Sequence, residues 1–306
     1  MAAFTLAHLS DPHLPPLPAP RLSELAGKRV LGYLNWTRNR RKYYRREVLD
    51  ALVSDMQAQG PDHVAMTGDV LNLAIEAEYA PALKWLESVG PPDRVTAIPG
   101  NHDAYVRLHP ERGTRHWQPY MESNEAGELL VPTPPTLFPF VRRFGDVALV
   151  ALSSAIPTMP FIAAGKVGSL QRDLLGEALT RLGREGLFRV VLIHHPPLPG
   201  QAGWYRGLRD AGRTTRVMKQ NGVELVLHGH NHEQTVFEFE TVSGPAVVVG
   251  VPSASEAVEG RLPAARYNEY SIARVDGGFR CEMVGRAVAD VGEHIWECER
   301  RVLRER

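Results

Sequence analysis

The chain has 306 residues, 43% of them hydrophobic and 23% charged, which suits one large globular domain or two small ones. Its 35 basic and 35 acidic side chains cancel, so no global charge draws it to nucleic acid or to a membrane. Two cysteines, Cys281 and Cys298, lack metal-type spacing and exclude a disulfide scaffold or a thiolate zinc site.

The apolar start, residues 1–9, has no basic lead and no cleavage signal. It runs straight into Ser10-Asp11-Pro12-His13, so it reads as a strand and not as a signal peptide. Residues 14–46 form a basic amphipathic insert that opens Pro-rich. Between 21 and 46 it carries nine Lys or Arg against one Glu. Leu22, Leu25, Leu31, Leu34 and Trp36 give it an apolar side, and Tyr43 and Tyr44 lie among its cations. Two roles fit: a packed, solvated surface element, or a lid for an anionic partner that governs substrate range.

Val48, Leu49, Leu52, Val53 and Met56 then recur at helical spacing, as do Ile75, Tyr79, Ala82, Leu83 and Leu86. Short apolar runs at 63–67 and 94–98 read as strands. Runs 138–144 and 147–152 flank Gly145-Asp146 as a hairpin, with Arg142 and Arg143 expected on a surface face. A third helical stripe runs from Leu170 to Leu182, with Ser169 as its N-cap. Strands are expected at 189–193, 224–227, 246–251, 270–275 and 279–284. The chain ends in a short charged tail, 288–306. The alternation predicts a single α/β domain over 1–306, with mixed and doubled sheets. No apolar run is long enough to cross a membrane, so the cytoplasm is the expected compartment.

Five of the strands end alike. Run 4–9 leads to Asp11 and His13, run 63–67 to Asp69, and run 94–98 to Asn101, His102 and Asp103. Run 189–193 leads to His194 and His195, and run 224–227 to His230 and His232. Ligands bind outside the carboxyl ends of strands in open α/β sheets, so these clusters should share one edge. In extended chain, residues two apart face one side, so Asp11 with His13, and His230 with His232, can each reach one site. Glycines before Asp69, Asn101 and His230 are expected to permit tight turns. Oxygen and imidazole donors without thiolate suit Mn, Fe, Zn, Co or Ni. Seven donors exceed one four-coordinate ion and fit two if a carboxylate bridges them, the clamp used in phosphoester hydrolysis. His8, His63 and His228 read as structural, and His195 as support behind a ligand. His109, His116 and His294 belong to no constellation.

Asp-x-His, Gly-Asp, Gly-Asn-His-Asp, His-x-Pro and Gly-His-x-His, in this order from 11 to 232, resemble the calcineurin-like metallophosphoesterase superfamily. The resemblance implies a four-layer αββα sandwich of two mixed β-sheets flanked by helices, with the metals at the strand ends. It implies that Asp11, His13, Asp69 and His232 hold a first ion. Asn101, His194 and His230 would hold a second, with Asp69 bridging. The cofactors would be two divalent or trivalent transition-metal ions, manganese, iron or zinc foremost, activating a hydroxide. His102 would bind no metal and would protonate the leaving group. Asn72 stands where the protein Ser/Thr phosphatases place a second Asp and the purple acid phosphatases a Tyr. The motif forms look more like the bacterial phosphodiesterase branch. Alternatives are a pyrophosphohydrolase acting on a lipid-linked nucleotide, a metal-dependent nuclease, and a non-catalytic scaffold. Expected partners are a phosphorylated small-molecule or lipid substrate, without obligate nucleic acid. Arg38, Arg40, Arg41, Lys42, Arg45 and Arg46 could touch an anionic membrane peripherally.

Overall fold

The computed structural model describes residues 3–107, 113–134, 136–260, 262–289 and 294–305; His109 falls outside them. β1 (Phe4–Leu9) leads into the insert, which carries α1 (Lys28–Arg38). α2 (Arg46–Gln59), β2 (His63–Met66), α3 (Glu76–Val89) and β3 (Val95–Ala97) follow. α4 (Glu125–Leu130) precedes a hairpin of β4 (Phe140–Phe144) and β5 (Val147–Ala151). Then come α5 (Ser169–Arg184), β6 (Phe188–Leu192), α6 (Ala211–Asn221) and β7 (Leu225–His228). β8 (Thr235–Thr241) and β9 (Gly244–Gly250) pair antiparallel, and β10 (Arg266–Val275), β11 (Gly278–Val288) and β12 (Ile295–Glu305) form a meander.

Two six-stranded sheets result, ordered β12-β11-β10-β1-β2-β3 and β4-β5-β6-β7-β9-β8. β1, β2 and β3 are parallel, as are β5, β6, β7 and β9, while antiparallel neighbours flank each block. The pleat sorts the side chains. Ala7, Leu9, Val64 and Met66 pack outward against Leu49, Leu52 and Met56 of α2 and Tyr79, Ala82 and Leu86 of α3. Leu6, Ala65 and Tyr270 point the other way and meet Leu149, Leu192, Leu227 and Val249 of the second sheet. Val150, Val191, Val226 and Val248 pack on Leu175, Leu179 and Met218 of α5 and α6. Strands apolar on both faces therefore build the four-layer αββα sandwich. Among the described residues no helix is long and apolar enough to cross a membrane.

Three local expectations are corrected. Most of the charged tail is a strand: β12 pairs with β11 along its length, tied by Arg266 to Glu299 and Arg300 to Glu282, both 2.6 Å. It is a sheet edge, where charge is the usual guard against further pairing. Arg142 is buried, not on a surface face. Its guanidinium donates to the carbonyls of Glu122, Pro119, Val95 and Pro92, fastening β3 to the hairpin. Ser169 is the first helical residue of α5, and the cap is Gly168 at φ 87°. The Asp210 carboxylate accepts the N–H groups of Val167 and Gly168 just ahead of it.

Candidate metal centre

The carboxyl ends of β1, β2 and β3 in one sheet and β6 and β7 in the other meet at a common edge. Asp11 and His13 follow β1, Asp69 follows β2, Asn101 and His102 follow β3, His194 follows β6, and His230 and His232 follow β7. All seven expected ligands and His102 are brought together there, and all are buried. The backbone turns by an unexpected route. Asp11, His13, Asp69, His230 and His232 themselves adopt left-handed φ values of 53°, 38°, 54°, 68° and 58°. Such conformations cost about 1–3 kcal/mol each in non-glycine residues and persist only where the surroundings enforce them. Loop-to-loop hydrogen bonds do so here: Asp11 N–H to Gly68 O at 2.9 Å, His13 N–H to Asp69 O at 3.0 Å, and Gly229 N–H to His194 O at 3.1 Å.

Glycine explains less of this than expected. Gly68 is left-handed at φ 102°, but Gly100 and Gly229 are not. Those two are needed for close approach. A Cβ on Gly100 would lie 2.4 Å from the Asp69 nitrogen, and one on Gly229 would lie 2.2 Å from Asp11 Oδ2. Asp103 was given no role in the sequence reading, yet it braces two of these loops. Its carboxylate accepts Leu71 N–H at 2.9 Å and Gly100 N–H at 2.8 Å. Burial, with the charge of Asp69 beside it, pushes that carboxyl up to about 7. Its place in Gly-Asn-His-Asp was the available signal.

The donor atoms fall into two groups that share Asp69. His13 Nε2 lies 3.3 Å from His232 Nε2, and His232 Nε2 lies 3.2 Å from Asp11 Oδ1. On the other side Asn101 Oδ1 lies 2.8 Å from His230 Nδ1 and 3.1 Å from His194 Nε2. Asp69 Oδ2 stands between them, 3.9 Å from His13 Nε2 and 3.4 Å from His194 Nε2. One ligand atom from each of Asp11, Asp69 and His194 falls within a mutual 4.8 Å.

The hydrogen-bond chemistry asks for cations. His13 Nδ1 faces the Leu71 carbonyl at 3.2 Å and His194 Nδ1 faces the Thr67 carbonyl at 2.7 Å. A carbonyl only accepts, so each Nδ1 donates and each Nε2 is turned inward. The neutral His13 ring then presents an Nε2 lone pair to Asp11 and Asp69 oxygens that also only accept. Burial drives His13 and His230 well below the ordinary imidazole range, with neighbouring cationic groups adding to it. His194 goes the other way. Burial opposes its charge, but Asp69 and Asp11 outweigh burial and raise it to about 9. Burial also works against the carboxylates, yet the surrounding rings hold Asp11 and Asp69 low. Neutral imidazoles at His13 and His230 around ionised Asp11 and Asp69 suit two transition-metal ions, whose binding would displace the proton His194 holds at neutral pH, so the residues fit that cofactor.

His102 donates Nδ1–H to the Asn72 carbonyl at 2.5 Å. Its Nε2 accepts from Arg40 Nη1 at 3.1 Å. Burial, then the nearby Arg40, keeps the ring well below the usual range. The insert thus packs directly on the centre through Arg40 and Tyr44. Tyr44 stacks on His13 with ring centroids 5.1 Å apart, and its hydroxyl lies 3.4 Å from His232 Nδ1. Arg45 and Arg46 are engaged with Glu259 and Asp50. Of the six cations expected at a membrane, Arg38, Arg41 and Lys42 are exposed and the other three are partly buried.

Three further histidines have structural partners. His8 and His63 bond Thr67 and Thr96 hydroxyls across neighbouring strands. His195 uses Nδ1 on Ser154 and Nε2 on the Ala163 carbonyl, and supports His230 with ring centroids 4.3 Å apart. Above the donors opens a cavity of about 730 Å³. Metal-cluster residues form its floor, and Leu31, Trp36, Phe161, Tyr205 and Leu262 line its sides.

Residues 4–234 match the family model of the calcineurin-like phosphoesterases. A probable cyclic nucleotide phosphodiesterase of Synechococcus sp. is 28% identical over 186 residues, 60% of this chain and 62% of that protein. The matched region therefore spans less than two thirds of that relative's length. The fold is shared with a dimetal phosphatase from Danio rerio, at TM-score 0.64 and 14% identity, over 95% of this chain and 98% of that one. It is shared too with the purple acid phosphatase PPD1 of yellow lupin, at TM-score 0.53 and 11% identity, over 97% and 53%. A family match across more than two thirds of the chain, with every metal-capable motif converged on one edge, makes this protein a member of the calcineurin-like phosphoesterase family.

Proposed function

We propose that the protein is a metal-dependent phosphodiesterase. Asp11, His13, Asp69 and His232 would hold one ion, and Asp69, Asn101, His194 and His230 the other. The observation that carries this reading is Asp69 Oδ2, set between the two groups of imidazoles. Bound there, two ions would supply Lewis acidity and a water acidified to near neutral pH. The chain's own residues do the rest. Asp11 and Asp69 stay ionised, and the Leu71 and Thr67 carbonyls accept from Nδ1 of His13 and His194 and orient both rings with Nε2 inward. His102 Nε2 accepts from Arg40 and carries no proton of its own, so it is our candidate for taking the proton released by the attacking water and passing it to the leaving oxygen. A wide cavity with apolar sides supports a phosphate esterified on both sides, as does the activity in the name of the Synechococcus relative. Two free cysteines, Cys281 buried among them, support a reducing compartment, and the cytoplasm is our reading.

The test compares bis(p-nitrophenyl) phosphate with p-nitrophenyl phosphate on manganese-loaded protein. The diester should turn over faster, and chelation should abolish both rates. Preference for the monoester would overturn the diester assignment. Undiminished activity after chelation would overturn the metal mechanism.

A further inference from the structure

The insert brings two cations to the metal cluster, and among the described residues no carboxylate lies within ion-pair distance of either. Arg40 reaches His102 Nε2 from the turn after α1. Lys28, at the start of α1, lies 4.5 Å above the ring of Tyr105, and that ring stacks on His102 at 5.3 Å. Both cations line the same cavity as His13, Asp69, Asn101 and His230. Their recorded partners are neutral. Lys28 Nζ donates to Thr158 Oγ1 at 2.7 Å and to the Ile162 carbonyl at 2.9 Å. Arg40 has only the His102 ring and a loose contact with the Tyr44 face at 5.9 Å. Among the described residues neither makes an ion pair. Arg45 and Arg46 of the same segment do, with Glu259 and Asp50. Of the two carboxylates lining the cavity, Asp69 belongs to the metal cluster and Glu256 has interactions of its own.

A half-buried guanidinium without a counter-ion is costly unless an anion arrives to meet it. Arg40 spends one of its five donors on His102, so a fork of donors is left for phosphate geometry. Lys28 keeps one N–H free. Burial lowers it to about 8, against the pull of Asp69, so it is mainly charged at neutral pH. The segment is also fixed in place. Arg29 donates to the Leu73 and Ala74 carbonyls, Arg45 N–H to Ser255 O at 3.0 Å, and Ala257 N–H to Tyr43 O at 2.8 Å. These cations are therefore preorganised beside the metals and not waving above them.

We propose that Lys28 and Arg40 form a second anion subsite that receives a second phosphate of the substrate, joined to the scissile one. The substrate class is then a pyrophosphate diester in preference to a singly charged phosphodiester. The inference rests on the phosphoesterase reading and deepens it. Arg40 is a specificity-determining residue that touches substrate.

The test uses metal-loaded full-length protein and two inert probes, diphenyl phosphate and P1,P2-diphenyl methylenediphosphonate, titrated by calorimetry. Wild type should bind the two-phosphate probe about tenfold or more tighter, the scale of one or two charged hydrogen bonds. Arg40→Ala should erase most of that ratio, Lys28→Ala part of it, and Arg40→Lys should restore part of it. A merely structural role for Arg40 would weaken both probes alike and leave the ratio unchanged. That result, or equal wild-type affinity for the two probes, overturns the subsite. Hydrolysis of bis(p-nitrophenyl) phosphate by the same wild-type sample keeps the phosphodiesterase reading standing in that event. Absence of that hydrolysis would remove the reading and the subsite together.

Discussion

Left-handed backbone at five of the proposed ligand positions means that these side chains are placed by their loops and not by their own preferences. The loops interlock at van der Waals limits, so a single methyl should be felt at the metals. Gly100→Ala is expected to push its Cβ against the Asp69 backbone, 2.4 Å away, and to displace the bridging carboxylate. The variant should fold, lose at least one ion, and lose about 10²-fold in hydrolysis, the usual cost of a misplaced reacting group. Elemental analysis beside circular dichroism checks this; full metal content with full activity would contradict it. The seven residues we propose as ligands could be picked out from sequence because each motif is local to one strand end. Arg40 was legible only as one more cation, because its partner His102 lies 62 residues away. Asp103 and the strained φ values were hidden for the same reason. They depend on which loops touch.

At the scale of elements, the insert and the first helical layer each hold the centre from behind. Tyr44 comes from the end of the insert and packs on His13 and His232. Tyr44→Ala should therefore weaken metal retention about 10–100-fold, as loss of outer support to a metal ligand typically does. Competition against a chelator measures it; an unchanged affinity would mean that the stacking is incidental. α2 is pinned to the sheet by Asp55, which accepts from Arg286 at 2.6 and 2.8 Å and from Tyr267 at 2.7 Å. Burial opposes the Asp55 charge, but Arg286 and Tyr267 outweigh it and hold the carboxyl below 3.8. A carboxyl depressed on folding stabilises above its unfolded value, and that stability is lost as pH falls through the folded value. Asp55→Asn should cost about 1–3 kcal/mol near neutral pH. The gap to wild type should close in acid, and urea unfolding at both pH values would show it. A gap that persists in acid would contradict the assignment. Elements with apolar stripes, such as α2, α3 and α5, were readable from periodicity. β12 and α6 were not. β12 reads as charge because one face is at a sheet edge, and α6 buries only Thr214, Thr215 and Met218.

At the scale of the whole molecule, the centre exists only when both sheets are packed. Asp11, His13, Asp69 and Asn101 come from one sheet, and His194, His230 and His232 from the other. Leu6, Ala65 and Tyr270 against Leu149, Leu192 and Leu227 form the apolar inner layer that joins them. Strand composition made the doubled sheet legible, whereas the strand order, with β10 inserted beside β1, follows from packing between distant parts of the chain. The most direct test of the account is a titration of metal-free protein with manganese, following hydrolysis of bis(p-nitrophenyl) phosphate and bound metal together. The account predicts that activity rises to a break at two ions per chain, and that Asp69→Ala shows neither the break nor the activity. Full activity at one ion per chain, or an active Asp69→Ala protein, would contradict it.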